Sequence, residues 1–357
     1  MTLLDLFGRN RQIVDWKRQL QKKTRQLVMG LSASTKALAI ASSLEEQDKI
    51  LVITSSQNEA ERLASDLLSL LGEEKVYTFL ADDTPLAEFV FSSQEKIFAR
   101  LEAMNFLSDK EKNGILIINV AASRLFLPQP DIFKQSELIL SVTEEYNLDN
   151  LVKSLSSNGY KKVSQVLSQG EYSLRGDILD IFERSAQYPY RIEFFGDEID
   201  GIRIFNPENQ LSLENVEQIL IEPVTDLLLT EEDYTRGQKN LEASLSTVLD
   251  PSLKSYLEEV LSSVREHFHH ADIRKFLSFF YQKEWTILDY LPTHTPIFFD
   301  DFQKIMDKHA QFELEVANIL TDDLQNSKAL SNQQYFANNY QDYRKYKPAT
   351  FFSNFHK

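Results

Sequence analysis

The sequence predicts an α/β fold with a parallel-sheet domain, an inserted β-rich domain and a mostly helical domain that completes the core. In the first third of the chain, short apolar runs at 49–54 and 114–120 alternate with helical patterns, which is typical of strands buried in a parallel sheet. Between 170 and 205, four short strand patterns follow one another with turn residues between them, which indicates antiparallel pairing. From residue 222 onward the apolar spacing is mostly helical.

The composition argues against several kinds of partner and site. The chain has 357 residues, with 54 acidic and 38 basic side chains and a formal charge of −16. Binding through nucleic-acid phosphates needs a basic surface, so DNA is not the first partner to expect. The absence of cysteine excludes disulfides and thiolate metal sites, and it fits a reducing compartment, so we expect a cytoplasmic protein. No apolar run reaches membrane-spanning length, so we expect no membrane partner.

The first 120 residues contain a regular series of predicted elements. The basic, amphipathic stretch 15–29 predicts a helix leading to Gly30, and another helix follows it. A leucine-striped helix after the strand at 49–54 ends at Gly72. A strand over 76–80 and a helix over 95–107 follow, so strands and helices alternate as in a parallel sheet.

The middle and last parts of the chain are organised differently. A helix near 148–155 precedes the four antiparallel strands, which are predicted over Tyr172–Leu174, Asp177–Phe182, Tyr190–Phe195 and Glu198–Phe205. Beyond them, a helical stripe over 253–268, a buried strand over 295–300 and a helix over 305–320 are predicted. The segment 331–357 is rich in Asn, Gln and Tyr and has little periodicity, which suggests a linker or the start of another domain.

A glycine-bounded segment resembles a phosphate-binding loop that has lost key residues. A working loop reads G-x-x-x-x-G-K-[ST], where the second glycine admits phosphate and the hydroxyl binds magnesium. Here Gly30 and Lys36 hold the first glycine and lysine places, but Thr35 replaces the second glycine and Ala37 replaces the hydroxyl. We therefore predict a vestigial nucleotide loop without ATP hydrolysis. The alternative is that Lys36 is an ordinary solvated helix residue.

Two other polar clusters could suggest chemistry. Asp300 and Asp301 end an apolar strand, where a nucleotide-binding fold places magnesium-organising acids. Because the loop is degenerate, we expect them to cap a helix or face solvent. His267, His269 and His270 do not have the spacing of three or four that brings ligands onto one helical face, so we expect a histidine cluster without metal. We find no catalytic motif and predict no cofactor.

The strand 190–195 has an unusual outward face. Alternate side chains of a strand share a face, which directs Tyr190, Ile192 and Phe194 toward the core and Arg191, Glu193 and Phe195 outward. An exposed phenylalanine beside an arginine is typical of an interaction hot spot. If Tyr172 and Leu174 point inward, Ser173 and Arg175 also point outward. The alternative is that Phe195 packs under a neighbouring strand and the arginines pair with acids such as Glu193 or Asp197.

Two segments resemble a known repair domain. Residues 170–182 and 188–200 closely resemble the UvrA-binding domain shared by UvrB and the bacterial transcription-repair coupling factors, the Mfd family. Residues 273–281 and 288–292 resemble the UvrB-like domain that follows it in that family. The resemblance covers about residues 1–320 and favours the coupling factors over UvrB. UvrB keeps an intact phosphate loop and a tyrosine-rich hairpin, whereas the region 79–93 has no such insertion here.

The resemblance implies a domain plan. It divides the chain into a degenerate RecA-like domain at 1–120, a UvrA-binding domain at 121–211 and a UvrB-like completing domain at 212–330. The remaining residues, 331–357, would be a linker or the start of the next domain. It also implies an N-terminal fragment, because the motor motifs of the full-length family, an ATP-dependent DNA translocase, are absent from this sequence.

The resemblance also implies a function. The fragment would recruit UvrA to stalled RNA polymerase in nucleotide excision repair, with Arg175, Arg191 and Phe195 at the family positions that contact UvrA. ATP and magnesium would serve only the absent motor domains. Absent domains would also bind RNA polymerase and DNA, and a later domain would cover the UvrA surface by an intramolecular contact. The alternatives are an ATP-binding helicase module of the UvrB type and direct binding of damaged DNA.

Overall fold

The computed structural model describes residues 3–44, 47–90, 93–265, 273–338 and 348–353. Its α-helices are α1 (Leu3–Gly8), α2 (Arg11–Gln21), α3 (Ala33–Ser43), α4 (Gln57–Leu71), α5 (Pro85–Val90), α6 (Gln94–Ser108), α7 (Pro130–Gln135), α8 (Leu148–Ser157), α9 (Glu231–Leu245), α10 (Pro251–Arg265), α11 (Leu277–Phe280) and α12 (Phe302–Gln325). Its strands are β1 (Arg25–Met29), β2 (Lys49–Thr54), β3 (Val76–Phe79), β4 (Gly114–Asn119), β5 (Leu138–Ser141), β6 (Lys161–Lys162), β7 (Glu171–Arg175), β8 (Ile178–Ile181), β9 (Tyr190–Phe195), β10 (Glu198–Phe205), β11 (Ser212–Val216), β12 (Gln218–Ile221), β13 (Ile297–Asp300) and β14 (Ala349–Ser353).

The chain forms two compact units. The first comprises Met1–Leu127 together with Glu231–Lys357, and the second comprises Pro128–Thr230. The second unit is therefore an insertion in the sequence of the first. Within the described ranges, no helix combines the length and the apolar character needed to cross a membrane.

The first unit is built around a parallel six-stranded sheet. Its strand order is β1-β14-β13-β2-β4-β3, and every neighbouring pair is parallel. The neighbouring interior strands β2 and β4 are buried along their whole length, as their continuous apolar runs predict. Helix α4 begins with a cap in which Ser56 accepts a hydrogen bond from the Glu59 amide, and it ends at Gly72, where φ is +84°. The predicted α/β class is thus confirmed.

The structure corrects the predicted helix at 15–29. Helix α2 ends at Gln21, and residues 25–29 form the edge strand β1 instead. In this strand Arg25, Leu27 and Met29 alternate with less exposed neighbours, a period of two that the overlapping helical stripe obscured. Its partner is β14, which arises from the weakly periodic C-terminal segment and lies between β1 and β13.

The second unit contains an antiparallel meander. The order β11-β10-β9-β8-β7-β6 is antiparallel except for the short β6–β7 pair, and a separate two-stranded sheet joins β12 to β5. The four strands predicted between residues 170 and 205 correspond to β7–β10. Two-residue turns led by Gly176 and Gly196, with φ of +60° and +66°, close the β7–β8 and β9–β10 hairpins. Both turns lie at the same end of the sheet.

Candidate interaction surface

Phe195 is the most exposed aromatic residue of the inserted unit. It is the last residue of β9, directly before the Gly196 turn, and 83% of its surface is accessible. The other face of β9 is turned inward, with Ile192 and Phe194 buried. The outward direction predicted for Phe195 is therefore what the structure has, and the alternative in which it packs under a neighbouring strand is wrong.

A buried carboxylate joins the two predicted arginines. Asp180 on β8 is 1% exposed and lies opposite Arg191 of β9 in the strand register. Its Oδ1 accepts from Arg191 Nε at 2.7 Å, and its Oδ2 accepts from Arg191 Nη2 at 2.9 Å and from Arg175 Nη2 at 2.5 Å. One aspartate thus receives a bidentate fork from one arginine and a single bond from the other.

The environment of Arg191 fixes its side chain on several sides. Its guanidinium carbon lies 4.4 Å from the centre of the buried Phe205 ring, a cation–π arrangement. Nη2 of Arg191 also donates to Gln210 Oε1 at 2.8 Å. The backbone of Gln210 is left-handed, with φ of +64°. The hydrogen bonds to Asp180 raise the pKa of Arg191 further above its usual range. Arg175 is less constrained, since 51% of its side chain is accessible, against 17% for Arg191.

The remaining predicted positions differ from the expected pattern in two ways. Ser173 does not point into solvent; it is buried and donates to Ser164 O at 3.1 Å, because the loop before β7 covers it. Glu193 does pair with an arginine, but with Arg203 across the β9–β10 hairpin rather than with Arg175 or Arg191. Asp180 and Gln210 were not predicted as part of this surface. The signal for Asp180 was a carboxylate at a strand position that alternates with the apolar Leu179 and Ile181.

The segment predicted to be a vestigial nucleotide loop lies in the other unit, at the carboxyl edge of its parallel sheet. Gly30 has φ of +81° between β1 and α3, as a tight turn requires. Lys36 is buried and forms an ion pair with Asp300 at the end of β13. Its interpretation as a solvated helix residue is therefore wrong. Thr35 Oγ1 donates to Ser32 O at 3.1 Å, and Ala37, at the position of the magnesium-binding hydroxyl in a working loop, is buried.

Asp300 and Asp301 make different contacts. Asp301 caps α12 from a left-handed backbone position and accepts from the Lys304 amide at 3.4 Å, which confirms the predicted capping role for this residue. Asp300 is instead the partner of Lys36. The predicted histidine cluster at 267, 269 and 270 lies outside the described residues. Within the residues that the structure describes, no group of three potential metal ligands is found.

Comparison with known proteins identifies the inserted unit. The family model described as "UvrB interaction domain" matches residues 138–227, which span β5 to β12. The chain is 30% identical over 314 residues to the transcription-repair-coupling factor of Bacillus subtilis, which covers 85% of this chain and 27% of the relative. Over most of its length, this chain resembles transcription-repair-coupling factors.

Other relatives of the same name give the same picture. Identity is 29% over 340 residues with the transcription-repair-coupling factor of Staphylococcus aureus strain bovine RF122 / ET3-1, and 28% over 338 residues with that of Staphylococcus haemolyticus. Each match covers 92% of this chain and 29% of the relative. The chain thus spans under a third of the length of these transcription-repair-coupling factors. The resemblance stated from the sequence is confirmed.

Proposed function

We propose that this chain is a non-catalytic docking module of a transcription-repair-coupling factor and that it recruits UvrA in nucleotide excision repair. The observation that carries the proposal is the surface formed by Phe195, Arg191 and Arg175 within a UvrB interaction domain. A solvent-exposed aromatic on the same sheet face as two hydrogen-bonded arginines has the composition of a binding hot spot. These three side chains also lie on one outward face of the sheet, which suits docking against another folded protein.

The vestigial loop supports the absence of nucleotide chemistry. In a working site the loop lysine neutralises phosphate charge and the strand-end acid organises magnesium. Here the Lys36–Asp300 ion pair connects the two groups that would serve these roles. The alternative function, an ATP-binding helicase module, would require both groups to be released from each other. The sheet topology supports a degenerate RecA-like domain, and ATP and magnesium would belong to motor domains beyond this chain.

Further parts of the proposal concern the longer protein. RNA polymerase and DNA would be bound by domains outside this chain, and a later domain would cover the UvrA surface until it is needed. The formal charge of −16 supports protein docking over direct binding of damaged DNA by this region. The cysteine-free composition supports a cytoplasmic location.

Titration calorimetry of the purified chain against UvrA tests the proposal. We expect saturable binding by the unchanged chain and a loss of at least about 2 kcal/mol, roughly thirtyfold in affinity, in Phe195→Ala. Arg191→Ala combined with Phe195→Ala should abolish measurable heat. Circular dichroism and a melting curve check that each variant is folded.

The matched control is Leu220→Ala. Leu220 is an exposed apolar residue of the same unit, but it lies on the two-stranded sheet and not on the meander. Its removal should leave UvrA affinity unchanged. Absence of binding by the unchanged chain contradicts recruitment. Binding of ATP with magnesium by that chain would favour the helicase alternative.

A further inference from the structure

We propose that Asp180 is a positioning residue, which presets the two arginines so that they receive carboxylates on the partner. The inference rests on the proposed function and adds to it a residue and a partner chemistry. Asp180 is too buried to touch a partner directly, at 1% exposure. Any effect it has on docking must therefore pass through Arg175 and Arg191.

The geometry shows how Asp180 would act. Both of its oxygens are engaged by arginine, and the fork from Arg191 is planar and bidentate, which leaves that side chain a single orientation. The Phe205 ring lies against one side of the guanidinium group, and Gln210 holds an edge of it. Ordering a long side chain before binding removes an entropic cost that binding would otherwise carry.

The donors that remain define the partner. Nε and both N–H groups of Nη2 of Arg191 are engaged, while its Nη1 has no acceptor within the part of the chain that the structure describes. Arg175 uses only Nη2 in the same described part, and half of its side chain is accessible. These outward N–H groups are geometrically suited to carboxylate oxygens. With Phe195 at the hairpin end, the fitting surface carries carboxylates beside an apolar pocket.

Charge alone predicts the opposite effect of removing Asp180, which makes the proposal easy to test. Two arginines and one aspartate leave this cluster with one net positive charge, and Asp180→Asn would raise it to two. If attraction to an acidic partner were all that mattered, the variant would bind faster and more tightly. If Asp180 acts by positioning, the variant binds more weakly, because its amide group can no longer accept the full fork.

The experiment is a double-variant cycle in the full chain, with affinity for UvrA measured by calorimetry. The variants are Asp180→Asn, Arg175→Ala combined with Arg191→Ala, and all three changes together. We expect Asp180→Asn to weaken binding about tenfold and to have little effect, within about twofold, once both arginines are already alanine. Gln210→Ala loosens the same guanidinium without touching the buried carboxylate and should weaken binding about threefold. It keeps the test decisive if Asp180→Asn does not fold.

A spectroscopic signature separates positioning from a general loss of structure. The Nε–Hε proton of Arg191 in the free chain should exchange slowly with water and become fast in Asp180→Asn, while the amide spectrum of the meander is retained. Unchanged or tighter binding by Asp180→Asn overturns the inference, as does a loss that multiplies with that of the variant lacking both arginines. In both cases UvrA recruitment itself would stand. No binding by the unchanged chain overturns recruitment and this inference together.

Discussion

Arg175 and Phe195 hold equivalent places in two neighbouring hairpins. Each is the last residue of its strand, and each is followed by a glycine with positive φ that leads a two-residue turn at the same end of the sheet. The Phe194 amide donates to Asp177 O at 2.9 Å, which ties the end of β9 to the turn between β7 and β8. The glycines therefore help to determine where the arginine and the phenylalanine stand relative to each other.

We predict that Gly196→Ala destabilises the inserted unit by about 1 kcal/mol, because an L side chain resists a φ of +66°. The cost is purely conformational, since an added Cβ would meet nothing within 4 Å. Gly201→Ala is the matched control: it lies in β10, also has open space around it, and has no positive φ. Calorimetric melting should show a lower transition only for Gly196→Ala. Equal effects of the two variants would contradict the argument.

The Lys36–Asp300 ion pair should contribute to the stability of the parallel-sheet unit. Both side chains are largely buried, so removing one partner leaves a poorly solvated charge. We expect Lys36→Met alone to cost about 3 kcal/mol, and Lys36→Met with Asp300→Leu to recover most of that loss. The exposed pair Arg18–Asp15, at 3.5 Å, is the control, and Arg18→Ala should change stability by less than about 0.5 kcal/mol.

Tryptophan fluorescence during urea unfolding measures these changes selectively. Both tryptophans of the chain, Trp16 and Trp285, belong to the parallel-sheet unit. A single variant as stable as the unchanged chain would show that the pair makes no net contribution. A double variant no more stable than Lys36→Met would contradict the idea that the cost arises from an unpaired buried charge.

The sequence could predict those elements in which one periodicity dominates. The buried strands β2 and β4 and the four strands of the meander have clear patterns, and their turns have glycines where the backbone requires them. Strand β1 was missed because Arg25, Leu27 and Met29 continue a basic stretch with helical spacing. Strand β14 was missed because its environment is supplied by β1 and β13, which are distant in the sequence.

The candidate surface was predictable residue by residue, but its organisation was not. Strand alternation indicated that Phe195 and Arg191 face outward. The hydrogen bonds that Asp180 accepts from two arginines depend on the register of three strands, and the one that Gln210 accepts from Arg191 depends on a loop with a left-handed residue. The burial of Ser173 depends in the same way on a loop that crosses over it. These relationships arise from tertiary structure and have no local pattern.

Gly237 should be intolerant of a side chain, although it lies inside helix α9. Alanine normally stabilises such a position by about 1 kcal/mol. Here a Cβ would come within 2.2 Å of the buried Phe280 ring, so α9 would have to move away from α11. We expect Gly237→Ala to lower the unfolding free energy by about 2 kcal/mol in the tryptophan-fluorescence assay. Ala243→Gly on the exposed side of the helix measures the difference in helix propensity between alanine and glycine without a packing effect. A Gly237→Ala variant that is more stable than the unchanged chain would contradict the close packing.

His309 should make the parallel-sheet unit sensitive to mild acid. Burial, followed by the positive charge of Arg124, lowers the pKa of His309 to about 4. The unfolded chain, with an ordinary histidine pKa near 6.5, therefore takes up the proton first as the pH falls. Stability is fully present above about pH 6.5 and is lost progressively toward pH 4, with a loss of about 2 kcal/mol between pH 7 and pH 5.

The test compares urea unfolding of the unchanged chain and His309→Gln at both pH values, again by tryptophan fluorescence. Glutamine does not titrate, so the variant should lose about 2 kcal/mol less between pH 7 and pH 5 than the unchanged chain. Carboxylates that titrate in this range affect both proteins alike and cancel in the comparison. His294→Gln, at an exposed loop position, should follow the unchanged chain. Parallel pH profiles for the unchanged chain and His309→Gln would show that His309 is protonated as easily in the folded state as in the unfolded one.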